Sequence, residues 1–164
     1  MTFTKGDKAY YPPHGVGVIR KIETKVVAGT SMKFYVIQFL STGATLMVPI
    51  DASSRTGMRG LITENEIKKV YKILKTPKKV STTTWNRRYR DYSDKIKTGE
   101  PQQIASVLRD LSTLQSQKNL SDGEKTMFKK ARSLIVEEIC LSQKIKELDV
   151  SEKIDKMLLV QQSV

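Results

Sequence analysis

Between Lys8 and Ile50 the apolar positions come in short runs rich in β-branched and aromatic residues: Lys8–Tyr11, Val16–Lys25, Lys33–Leu40 and Thr45–Pro49. Pro12-Pro13, Ala28-Gly29 and Thr42-Gly43 separate them. Runs of this length bounded by turn residues predict short antiparallel strands. Val16 and Val18, then Phe34 and Val36, alternate as a half-buried strand does, yet Tyr35 and Ile37 fill the opposite face as well. That is expected where a small sheet curls on itself, and the pattern predicts a five-stranded SH3-like or Tudor-like barrel.

After the barrel the period changes from two to that of a helix. Thr63-Glu64-Asn65-Glu66 has the form of a capping box and opens a helix to about Leu74. Lys75–Thr84 combines a proline, a Ser/Thr cluster and no apolar period, so it reads as a linker. Trp85–Lys97 follows as a helix, ended by Gly99-Glu100-Pro101. Gln102–Gln117 carries Ile104, Val107, Leu108, Leu111 and Leu114 as one stripe. Ser121-Asp122-Gly123-Glu124 is a second capping box for a long helix to about Ile145, and Ser151 is expected to cap a short last one. The predicted class is α+β: a small antiparallel β-barrel over residues 1–74, a linker over 75–84 and an all-helical domain of about four helices over 85–164.

The 164 residues are 38% hydrophobic, enough to build a core without staples. Apolar runs stay far below the roughly 18 residues of a membrane span, and the first residues lack a secretory apolar region. A soluble, cytosolic protein without a membrane partner is expected. One cysteine, Cys140, gives no internal disulfide, and one histidine, His14, gives no Cys/His metal set. No G-x-x-x-x-G-K-[ST] phosphate loop occurs, and a Ser-His-Asp relay would have to run through His14. His14 lies between two prolines and Gly15, where a turn between strands accounts for it, and Cys140 falls within the apolar period of a helix. These exclusions point away from an enzyme, a cofactor and a small-molecule substrate.

Charge supplies the positive clue. The chain carries 29 Lys+Arg against 17 Asp+Glu, net +12, a field that attracts polyanions. Residues 75–100 alone hold 8 basic and 3 acidic side chains. At their centre Trp85-Asn86-Arg87-Arg88-Tyr89-Arg90 joins the one tryptophan to three arginines. Arginines of this kind pair with phosphates or enter a minor groove, and an apolar wedge unstacks a base step. The spacing of Trp85, Tyr89, Tyr92 and Ile96 is equally that of a core stripe, and spacing alone favours the core. Ser121–Lys125 likewise has two readings, an anion site at a helix N-terminus with Lys125 in reach or plain capping, and capping is the simpler.

Four segments resemble the CarD/CdnL transcription regulators. Lys5-Gly6-Asp7-Lys8-Ala9-Tyr10-Tyr11-Pro12-Pro13-His14-Gly15-Val16-Gly17 is similar to their opening, and to the polymerase-interacting module of the transcription-repair coupling factor. Thr84-Trp85-Asn86-Arg87-Arg88-Tyr89, Val107-Leu108-Arg109-Asp110-Leu111, and Leu120-Ser121-Asp122-Gly123-Glu124-Lys125 with Lys130-Ala131-Arg132 match the stand-alone regulators. The resemblance implies a bacterial, non-enzymatic regulator whose Tudor-like domain docks on the RNA polymerase β subunit. It would be cytoplasmic and associated with the nucleoid through polymerase. Its helical domain would contact promoter DNA at the upstream edge of the bubble, stabilising the open complex.

In that picture Trp85 is a minor-groove wedge, Arg87, Arg88 and Arg90 hold the flanking phosphate backbone, and Lys125 adds a contact. Lys25 matches a basic polymerase-binding position. Met47 stands where some relatives carry Arg, which implies a docking contact that is more apolar here or shifted to neighbours such as Lys33. The alternative from another class is a general nucleic-acid-binding protein, for packaging or RNA, that does not dock on polymerase.

Overall fold

In a computed structural model, which describes residues 2–80 and 83–162, four strands form one antiparallel sheet in the order β1-β2-β3-β4. They are β1 (Lys8–Tyr11), β2 (Gly15–Val27), β3 (Thr30–Phe39) and β4 (Thr45–Pro49). The sheet is a half-barrel. The fifth strand expected from the sequence shrinks to a single bridge, where Tyr10 and Arg59 exchange backbone hydrogen bonds of 2.7 and 3.0 Å. The Arg59 guanidinium covers the Tyr10 ring at 4.3 Å.

The two glycines after His14 have different reasons. Gly15 takes φ +98° at the turn, and Gly17 passes so close to β3 that a methyl group there would meet Ile37 at 2.5 Å. A register shift between Ile19 and Lys21 swaps faces beyond Arg20. One face therefore carries Ile19, Tyr35, Ile37 and Val48 into a core with Phe3, Ala9 and Met58. The hydroxyl of the fully buried Tyr35 accepts from the Phe3 N–H at 3.1 Å. His14 is exposed and stacks on Phe39 and Tyr11 with ring centroids 5.0 and 5.9 Å away.

The chain divides into Met1–Leu61 and Ile62–Val164. The second unit holds five helices, α1 (Glu64–Lys75), α2 (Trp85–Thr98), α3 (Pro101–Gln117), α4 (Asp122–Gln143) and α5 (Glu147–Gln162). Where the sequence placed α1 at the end of the barrel domain, the structure packs it on α3 and α5. The reason is its apolar face: Ile67, Val70, Tyr71 and Leu74 are all buried there. The stretch expected to link two domains thus joins two helices of one unit, and the change of unit falls at Leu61–Ile62. There the Ile62 N–H donates to the buried Glu138 carboxylate at 2.8 Å, while Ser142 donates to the Ile62 carbonyl at 2.6 Å.

Both capping boxes form, at Thr63/Glu66 and at Ser121/Glu124. Gly99 ends α2 in the left-handed region at φ +73°, and Pro101 opens α3. The last helix differs from expectation. It starts at Glu147, so Ser151 lies inside it and caps nothing. The break before it is made by Lys144 at φ +56°, a left-handed cap without glycine.

Candidate nucleic-acid interface

The stripe on α2 splits in two. Tyr92 and Ile96 are buried, whereas Tyr89 is 50% exposed and Trp85, at the first turn, is half-buried. Trp85 and Tyr89 meet edge to face with centroids 5.5 Å apart, forming an aromatic tip at the head of the helix. The same first turn contains no acidic residue. Arg87 and Arg90 are exposed on the same helix but on the side turned away from the Trp85–Tyr89 pair, and Lys125 is exposed near the start of α4.

Arg88 is arranged otherwise. Its side chain is only 12% exposed. One terminal nitrogen donates to the Thr83 carbonyl at 2.8 Å, the other reaches the Glu124 carboxylate at 3.4 Å, and the guanidinium carbon lies 5.8 Å from the Trp85 ring centroid. Glu124 is almost fully buried. It also accepts from the Ser121 N–H at 3.0 Å and from Lys118 at 3.1 Å. Burial pushes its carboxyl up, but the Ser121 backbone and Lys118 outweigh that and hold it below the usual carboxylate value. The start of α4 is therefore occupied by its own carboxylate, in keeping with the capping reading of Ser121–Lys125.

Along α2 lies a cleft of about 650 Å³ whose walls include Lys78, Lys79, Arg87 and Lys95, with Asp91 and Asp110 among them. Lys95 pairs with Asp91 at 3.3 Å. Asp110 pairs with the buried Arg109 at 3.2 Å, and burial raises its carboxyl against that pairing. Lys78 and Lys79 fall in the segment the sequence reads as a linker, and in the structure they line this cleft with residues of α2. Among the described residues no cluster of His, Cys, Asp and Glu could hold a metal ion, and no helix is long and apolar enough to cross a membrane.

In the first unit the register places Lys21, Glu23 and Lys25 of β2, Met32, Phe34 and Val36 of β3, and Met47 of β4 on one face of the sheet, opposite the core, with Lys21 paired to Glu23 at 3.5 Å. Met32, Phe34 and Met47 are half-buried and Lys25 is exposed. Lys25 faces Met32 and Met47 faces Val36, so the two candidate positions lie four residues apart along β3, about 13 Å at the rise of a strand. β4 pairs with β3 alone in the sheet order and forms one edge.

Residues 3–62 match the CarD-like/TRCF RID domain and residues 69–155 match the CarD C-terminal domain. The chain belongs to the CarD family. This CarD-family transcription factor is 31% identical to YdeB of Bacillus subtilis (strain 168), a protein named as a candidate transcription factor, over 148 residues that cover 90% of this chain and 97% of that one. It is also 42% identical to the solved structure of CdnLNt from Myxococcus xanthus, which covers 39% of this chain and 90% of that one at a TM-score of 0.34. The CarD-type segments quoted from the sequence fall within the two matched regions, and the matched boundary at residue 62 coincides with the change of unit.

Proposed function

We propose that the protein docks on the RNA polymerase β subunit through its first unit and contacts promoter DNA through its second, stabilising the open complex. The observation that carries this is the Trp85–Tyr89 tip: a large aromatic left half-exposed at a helix end, on a helix that also exposes Arg87 and Arg90 on its other side. An apolar side chain in that setting serves as a wedge between base steps in the minor groove, while the arginines and Lys125 meet the phosphate backbone. Arg88 stands behind them, turned inward. Membership of the CarD family supports the same assignment.

For the polymerase contact, the β4 edge and the face carrying Lys25, Met32, Phe34 and Met47 suit strand addition, with backbone pairing for affinity and side-chain pockets for specificity. The apolar character of Met32, Phe34 and Met47 supports an apolar docking contact at the Met47 position. The effect on transcription is thermodynamic: preferential binding to melted promoter shifts the equilibrium by the difference in binding free energy.

Trp85→Ala tests the proposal. Because the indole is half-buried, the loss of stability is expected at about 1–2 kcal/mol, below the ~3–5 kcal/mol of a fully buried tryptophan. β-subunit binding should persist and open promoter complexes should decay faster. Unaltered complex lifetime would remove the wedge, and a full-length protein that fails to retain the β subunit would favour a general nucleic-acid-binding protein instead.

A further inference from the structure

The indole of Trp85 is not held by a core, yet it is not free. A methyl group placed on Gly123 would lie 3.4 Å from its Cζ2 and 3.6 Å from its Nε1, so the backbone at the start of α4 forms one side of its seat. The edge-on Tyr89 ring and the Arg88 guanidinium form the rest. Arg88 is in turn gripped by the Thr83 carbonyl and the Glu124 carboxylate, and Glu124 is fixed by Ser121 and Lys118. Arg88 is largely buried and Glu124 almost fully so, and the two form an ion pair at 3.4 Å.

We propose that Gly123 and Glu124 are positioning residues for Trp85. Glu124 holds the guanidinium that overlies the indole, and Gly123 leaves the bare backbone against which the indole edge lies. Arg88 belongs to this bracket more than to the set of phosphate contacts. The consequence for DNA rests on the wedge reading: a side chain already held in one orientation loses less freedom on insertion. The seat itself does not depend on DNA.

Trp85 is the one tryptophan of the chain, so fluorescence of the full-length protein reads the seat directly. Glu124→Gln keeps a side chain able to close the capping box but loses the charge that grips Arg88. Expected are red-shifted emission and stronger acrylamide quenching with unchanged far-ultraviolet circular dichroism. Gly123→Val should do the same by displacing the indole, while Gly123→Ala, at ordinary contact distance, should not. Arg88→Gln should reproduce Glu124→Gln, and the double variant should add nothing. Unchanged emission and quenching in both Glu124→Gln and Gly123→Val would overturn the proposal. Open-complex lifetimes of the same variants address the wedge separately: displaced fluorescence with unaltered lifetimes upholds the seat and sinks the wedge.

Discussion

Glu124 shows how much one carboxylate can organise. It closes a capping box, pairs with Lys118 and turns Arg88 inward, all from a nearly water-free position. Its folded pKa is depressed, so the stabilisation it gives is fully present above the unfolded carboxylate value of roughly 4.3 and is lost as pH falls through the folded value. Melting temperatures followed from pH 7 to pH 3 should therefore fall more steeply for the native protein than for Glu124→Gln, with the two curves converging in acid. Parallel curves would mean that the carboxylate contributes nothing to acid sensitivity. In the sequence Glu124 is visible as a cap, since Ser-x-x-Glu states that role. Its grip on Arg88 is not visible, because the partners are 36 positions apart and only tertiary packing joins them.

At the scale of elements, local signals carried most of the assignment. β-branched runs, two capping boxes, Gly99 and Pro101 place four strands and the helices α1 to α4 close to where they lie. The start of α5 was hidden because Lys144 adopts a left-handed cap that lysine does not advertise. The fifth strand was lost because Met58 and Arg59 offer the sheet one bridge and no alternating run. What α1 packs against was not legible either: an amphipathic face declares that it will be buried, not by what. Its packing on α3 and α5 leads to an expectation for limited proteolysis. Lys75 at the end of α1 and Lys78 and Lys79 after it are exposed, so trypsin should nick the chain there first. The two pieces should then co-elute under native conditions, held by Ile67, Val70, Tyr71 and Leu74, and part in denaturant. Fragments that separate without denaturant would restore the division at residue 74.

For the molecule as a whole, the charge is unevenly spread, with the densest basic stretch, residues 75–100, supplying both the exposed arginines of α2 and the lysines of the cleft along it. The sheet unit contributes instead an apolar face edged by Lys25 and a Lys21–Glu23 pair. Two surfaces of different chemistry, proposed above as the two binding surfaces, thus sit on two separately cored units. Their junction is short: Arg59 is paired to Tyr10 on one side, Ile62 is clasped by Glu138 on the other, and only Gly60 and Leu61 lie between. On the proposed function, a tether of that length would make the second grip an intramolecular event at high effective concentration, and lengthening a flexible tether beyond its span dilutes that concentration roughly as the −3/2 power of length. A ten-residue Gly/Ser insertion between Gly60 and Leu61 should leave β-subunit binding and free DNA affinity intact, yet shorten residence on promoter complexes; equal residence would show that the two grips act independently. The regulator's avidity would then be written in a dipeptide that touches neither partner.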